Sequence, residues 1–553
     1  MSRQEVADIL AKYESASQST ASQRQIVEEL GIPRSTLQYW IERKDAIDAD
    51  PVVTAFFESP SGTAFMHRLA LGAHFAMTLT GSCSVRHVCQ FFELTGLDRF
   101  IASSYGAQQK VSGELERCII EFDKEEKHRL AEKMPYKEIT VCQDETFHPE
   151  TCLVAIEPDS NYIILEKYAD SRKASEWTQC MKDATKSLPV KIIQSTSDEG
   201  KGILHHVKKD LGAHHSPDVF HVQHEIVKGS SAPLSRKTKK AEDDLQNASD
   251  HLIRCTGEKE DYENGETRRG HPPQFDKRIE QARIQVEAAT GCLEKAKANQ
   301  SQMKAMIEKI SDSYHPVDIE TGMPKDAQEV STSLSECFLQ IETVASEAAL
   351  SEPSFKRIRK AKKVTADMVA TIAFFWVYVR AKVGALCLDP NIETVVIEKL
   401  IPAIYLRHAS KKAKSADNRQ RIHKQSEHIL HSLHDIDSPF IGLEPEKLAL
   451  TLKVSEECAC LFQRSSSCVE GRNGQLSLRH HSLHRLSNRK LSALTTVHNY
   501  FIKRNNGTTP AERFFTSKPR DLFEFLLTKV DLAGRPAQKR AKLLQRQLLQ
   551  PIT

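Results

Sequence analysis

Most of this chain repeats its apolar residues every three to four positions, but one stretch does not. Between residues 137 and 222 they come in short β-rich runs. Glu138–Gln143 (EITVCQ), Cys152–Glu157 (CLVAIE) and Asn161–Glu166 (NYIILE) are separated by turn residues. Lys173–Leu188 then reads as a helix, Val190–Gln194 (VKIIQ) as a buried strand and Gly200–Leu211 as a helix. Asp218–Val222 (DVFHV) reads as a fifth strand, with another helix after it. The order β-β-β-α-β-α-β-α predicts a meander followed by crossovers, giving a mixed five-stranded sheet in an α/β layer. The rest of the 553 residues must be arranged around that layer.

The flanks are helical. Residues 1–48 read as three short helices, and the segment SQRQIVEELGIPRSTLQYWIERK fits a helix-turn-helix. Ile26, Val27 and Leu30 supply one apolar face, and Ile32, Leu37 and Trp40 or Ile41 the facing one. Gly31 breaks the second helix and Pro33 opens the third. Arg34, Ser35, Thr36 and Gln38 then stand at the start of the third helix, the position from which such a unit reaches base edges and phosphates. Residues 49–135 read as a helical linker, and 136–232 as the first part of the α/β core. Residues 233–460 read as an all-helical insertion, 461–515 as the last part of the core and 516–553 as a basic C-terminal tail. Within the insertion, Leu234, Ala241, Leu245, Ala248 and Leu252 keep heptad spacing. After a loop at Thr256–Gln274, so do Ile279, Ala282, Val286, Ala289, Leu293, Ala296, Met303, Ile307 and Ile310. Two such runs predict an antiparallel helical hairpin, with Gln300 as a polar seam residue.

Acids fall where this layout brings strand ends together. Asp144 follows the first run in CQDETFH, and Asp198 follows the fourth in IIQSTSDEGKG. Glu470 stands in CVEGRNGQLSLRHHSL, a stretch otherwise rich in Arg and His that reads as a helix. Val469, Leu476, Leu483 and Leu486 form a stripe for packing on the sheet, with Glu470, Asn473, Gly474 and Ser477 beside it. Three carboxylates so placed suit an oxygen cage for two Mg²⁺ or Mn²⁺ ions acting on a phosphodiester. Arg472 and Arg479 flank that face and are expected to meet phosphates. The net charge is only +3, yet from Gly471 onward sixteen Lys/Arg stand against four acids. Such a block favours a polyanionic partner or, more simply, a solvated basic surface.

QDETF, STSDEGKGI, DVFHVQHEIVK, VEGRNGQLSLRHHSLHRL and HNYFIKRNNGTTPAERFF together resemble the RNase H-like DDE transposases of bacterial insertion sequences. The resemblance covers about 137–230 and 460–515, with a helical insertion between. It implies an RNase H-like catalytic core and metal ligation by Asp144, Asp198 and Glu470, which are separated by 54 and 272 residues. It also implies double-stranded DNA as partner, both terminal inverted repeats and target. A homodimer or higher oligomer on DNA and a cytoplasmic, nucleoid-associated location go with it. Rival readings are a non-catalytic DNA-binding regulator derived from a transposase, and an RNase H-like nuclease or resolvase without strand transfer.

Other features point to simpler roles. The thirteen cysteines include no CxxC pair, so free thiols are expected, and Cys458-Ala-Cys460 is too tight for a zinc knuckle. No cysteine stands at ligand spacing from the histidine clusters (His205, His206, His214, His215, His221, His224; His480, His481, His484), so a dedicated zinc site is not expected there. The apolar run Met368–Leu388 contains Arg380 and Lys382 and reads as a buried helix, not a membrane span. No apolar leader opens the sequence.

Overall fold

The computed structural model describes residues 1–18, 23–147, 150–265, 271, 273–413, 415–433, 438, 440–483 and 486–537. A five-stranded mixed sheet lies at its centre, in the order β3-β2-β1-β4-β5. The strands are β1 (Lys137–Phe147), β2 (Thr151–Glu157), β3 (Tyr162–Tyr168), β4 (Val190–Ser197) and β5 (His214–Pro217). The first three form an antiparallel meander, while β4 and β5 pair parallel to β1 and to each other.

Four of the five expected strands are found, but the fifth lies elsewhere. DVFHV is not a strand: its Asp218 carboxylate accepts from the Phe220 amide and caps a 45-residue helix, Val219–Glu263. The β-branched and aromatic residues of that pentapeptide favour a strand, but the N-cap aspartate decides the matter. The fifth strand is the preceding His214–Pro217, a short edge segment whose proline falls at its end.

One face of the sheet is covered by the helices Ala174–Thr185 and Lys201–His205, with Trp177, Met181 and Val207 fully buried. The other carries the helices Ser467–Leu483, over β1 and β2, and Asn488–Tyr500, along β3. Asn499 completes the edge strand: its Oδ1 accepts from the Ile163 amide at 2.9 Å and its Nδ2 donates to the Ile163 carbonyl at 3.0 Å. The long helix Tyr105–Ala131 packs behind it. Residues 522–537 fold back onto the body, with Leu526 in the core, and the Gly534 carbonyl accepts from the Ala102 amide.

The helical insertion is built as the heptads predict, but its first helix has no break at residue 233. Val219–Glu263 runs through Pro233 and pairs with Phe275–Ser313, leaving a shorter connection than the expected loop at Thr256–Gln274. Gln300 is satisfied across the seam by Thr238 and Ser235, at 3.2 and 3.1 Å. Beyond the hairpin, the helices from Ala327 to Leu461 close a second core around Phe338, Phe375, Trp376, Tyr314 and Phe462. By length and composition Glu352–Gly384 could cross a membrane, yet Met368, Ile372, Phe375, Val379 and Val383 are buried in that core.

At the N-terminus, Arg3–Ser17, Gln23–Glu29 and Arg34–Asp45 enclose Leu10, Val27, Ile32 and Leu37. Gly31 turns the chain at φ +65°, a conformation open to glycine, and Pro33 takes the N-cap of the third helix.

Candidate functional site

The register of the three parallel strands sets out the site. Cys142 pairs with Thr196, and Thr196 with Ser216. Two residues further along each chain stands an aspartate: Asp144, Asp198 and Asp218. Residues two apart share a sheet face. That face is marked by the row itself, because the side chains of Cys142, Thr196 and Ser216 all reach the carbonyls of Ser465 or Gln463, at 3.7, 3.3 and 3.2 Å. Asp144 does not follow its strand as expected but lies inside β1, paired with Val154 of β2, while Asp198 and Asp218 come directly after β4 and β5; the three fall in one row beside the segment by which the insertion returns.

That return is clamped. The Val219 amide donates to the Arg464 carbonyl at 2.9 Å. Asp218, only 1% exposed, accepts from the Ser466 amide at 2.9 Å and from the Ser466 hydroxyl at 2.5 Å. The insertion therefore leaves and rejoins the core at one point. The Ser466 carbonyl in turn accepts from the Val469 and Glu470 amides, starting the helix Ser467–Leu483. Glu470 falls in its first turn, where the helix dipole favours an anion. Val469 and Leu476 are buried beneath, as the stripe predicts; the side chain of Leu483 lies outside the described residues.

Glu470 thus comes back to the sheet end, but its tightest neighbours were not expected. Ligand atoms of Asp218, His221 and Glu470 lie within 4.8 Å of one another. Asp144 is in the same neighbourhood. Burial pushes its pKa up to about 6, the charges of Asp198 and Asp218 add to the effect, and the Glu145 amide and His221 oppose it. Asn473 Nδ2 donates to Asp144 at 3.2 Å, while its own Oδ1 is buried without a hydrogen-bond partner. The Asp198 carboxylate accepts from the Gly200 amide at 3.0 Å.

The neighbouring acids point away from this cluster. Glu145 accepts from the Trp177 indole at 3.1 Å and faces Arg172. Glu199 lies with His215 and Asp367, and burial and the Asp367 charge raise it to about 7. A cluster of half-buried carboxylates, one forced toward neutrality, with an orphaned amide oxygen beside it, fits a hard divalent cation, which takes oxygen donors and relieves their repulsion.

The structure revises two expected phosphate contacts. Arg472 is 6% exposed and forms a bidentate pair with Glu166, at 2.8 and 2.7 Å. Arg479 donates to the carbonyls of Leu79, Thr80 and Gly81, where a helix ends. Both guanidiniums thus hold the fold. Asn473 is in the site, but on Asp144. Arg34, Ser35 and Gln38 are exposed at the start of the third N-terminal helix, and Thr36 is half-buried.

Of the described histidines in the two clusters only His206 and His215 are buried, and several others are held by ring or hydroxyl contacts. His206 stacks on Trp177, His214 stacks on Phe374, and His480 meets the Tyr168 hydroxyl. His215 lies with Glu199 and Asp367, and His221 with Asp218 and Glu470. His221 was expected either near the active site or as a satisfied core residue, and it lies beside Glu470; Asp218 was missed because DVFHV read as a strand, whereas it is the helix N-cap at the sheet end.

Residues 396–542, about a quarter of the chain, match a family of unknown function (DUF6399). No curated protein matches the chain. The matched stretch joins the last helices of the insertion to the glutamate helix and the segment that folds back on the core.

Proposed function

We propose that the chain is a DNA transposase with an RNase H-like core that cuts phosphodiester bonds at element ends and joins them to target DNA. The observation that carries this reading is the return of Glu470. A helical excursion begins and ends at the Asp218–Ser466 clamp and delivers one more carboxylate to the row of aspartates. In this reading Asp144, Asp198 and Glu470 hold two Mg²⁺ or Mn²⁺ ions, with His221 at the edge. Asn473 orients Asp144. When bound, such ions lower the pKa of an attacking water or 3′-hydroxyl and offset charge on the phosphodiester.

The N-terminal helices supply end recognition. Arg34, Ser35, Thr36 and Gln38 lie at the helix start that enters a major groove in helix-turn-helix units. Paired-end cutting requires at least two such sites, so a homodimer or larger assembly on double-stranded DNA follows.

The test uses duplexes carrying the DNA that flanks the gene. Wild type nicks them in Mg²⁺. Asp198→Asn and Glu470→Gln bind them equally well but lose at least about 100-fold in nicking, as expected when a metal ligand goes. Wild-type binding without nicking would instead make the protein a DNA-binding regulator. Nicking retained by Asp198→Asn would remove Asp198 from the site.

A further inference from the structure

A second group of metal-binding side chains lies apart from the sheet-end acids. Asp159 is in the turn between β2 and β3, His408 is on the helix Ile401–Lys412, and Cys460 is near the end of the helix Pro445–Leu461. Cys460 Sγ is 3.4 Å from Asp159 Oδ1 and 3.9 Å from His408 Nδ1. All three ligand atoms lie within 4.8 Å of one another. Tetrahedral zinc, with Zn–S near 2.3 Å and Zn–N or Zn–O near 2.0–2.1 Å, sets neighbouring ligand atoms about 3.5 Å apart. The two Cys460 separations bracket that distance.

The histidine is held as a ligand is held. Its far nitrogen, Nε2, is 2.7 Å from Glu456 Oε1, and Arg407 anchors the same carboxylate at 3.2 Å. With Nε2–H donating to Glu456, the lone pair is on Nδ1, which faces Cys460. A carboxylate on the outer nitrogen is the usual support of a metal-bound imidazole.

We propose that Asp159, His408 and Cys460 bind a zinc ion through Oδ1, Nδ1 and Sγ, with the fourth position left to water. On binding, Cys460 releases its proton to solvent and the thiolate takes the metal. The ion would tie the β2–β3 turn of the core to two helices of the insertion. Cys460 is ten residues ahead of Glu470, so the tie would brace the returning chain at a second point besides the Asp218–Ser466 clamp. The ligands are 52 and 301 residues apart from Cys460 in sequence, which is why no spacing motif announces them.

The full-length protein, stripped of metal and titrated with Co²⁺, provides the test. A thiolate-to-cobalt charge-transfer band reports only metal bound to cysteine, so it is blind to the all-oxygen site and independent of nicking. The band is expected to saturate at one equivalent per chain in the wild type and in Cys292→Ser, whose thiol is exposed. It should vanish in Cys460→Ser, and His408→Ala and Asp159→Asn should weaken binding at least about tenfold. Zinc should displace the cobalt. No band in the wild type, or a band that survives in Cys460→Ser, would overturn the proposal.

Discussion

Arg472 and Asn473 are neighbours on one helix and meet opposite conditions. The Arg472 guanidinium spends its donors on Glu166, a fully buried carboxylate that also accepts from Thr495 at 2.6 Å. Charge and hydrogen-bonding capacity there are matched. Asn473 touches an aspartate whose pKa is lifted to about 6, and its own oxygen is left over. Buried polar groups in folded proteins are nearly always paired, so an unmatched set marks a place where something else binds. The long helix carries two further groups of this region. Asp218 is saturated and fastens the insertion, while His221, three residues on, faces Glu470 and Asp144. The matched pairs hold the fold, and the leftover Asn473 oxygen marks where the proposed cation would sit.

This division is sharpest where one partner is removed. Arg472→Ala leaves Glu166 buried and unpaired, and should cost about 3–5 kcal/mol in urea unfolding. Replacing both residues, Arg472→Met with Glu166→Leu, should recover most of it. A cost below about 1 kcal/mol for the single change would mean that the pair is not structural.

Next comes the clamp. Asp218→Ala strips three donors of their acceptor and should cost about 2–3 kcal/mol. The loss should appear as faster hydrogen exchange at Ser466 and Glu470, with the β2–β3 meander unaffected. Uniform acceleration across the sheet would show instead that Asp218 supports the whole core.

The smallest of these effects has the opposite sign. Asp144 binds its proton more tightly folded than unfolded, so ionisation works against the fold. That penalty is absent below about pH 4, grows between about pH 4 and 6 and is fully present above it. In metal-free buffer, Asp144→Asn should therefore stabilise by about 1–2 kcal/mol at pH 8 and by nothing at pH 4. A stability gain that did not depend on pH would contradict the origin given for the shift.

The two classes of residue were not equally legible in the sequence. Strands β1 to β4 were readable because alternation, length and turn residues all agreed. Asp144, Asp198 and Glu470 were singled out from expected places at strand ends and on an amphipathic helix; Asp198 does follow β4 and Glu470 opens its helix, but β1 continues past Asp144 to Phe147. The fifth strand was hidden because HHSP is short and polar and DVFHV has the composition of a strand. With it went Asp218; His221 had been expected near the site or in the core. Arg472 and Arg479 looked like phosphate contacts because helical periodicity tells which face a side chain shares, not which distant group lies opposite. Their partners, Glu166 and the carbonyls of 79–81, are some 300 and 400 residues away. Long-range pairing of this kind is set by the tertiary fold alone.

The central claim is that Asp144 and Glu470, separated by the helical excursion, act on one cation. Mn²⁺ affinity measured in wild type, Asp144→Asn, Glu470→Gln and the double variant tests it directly. The account predicts that each single change weakens binding at least about tenfold and that the double change adds little more, because the two share one site. Losses that simply add, or a Glu470→Gln protein that binds Mn²⁺ like wild type, would place Glu470 outside the site.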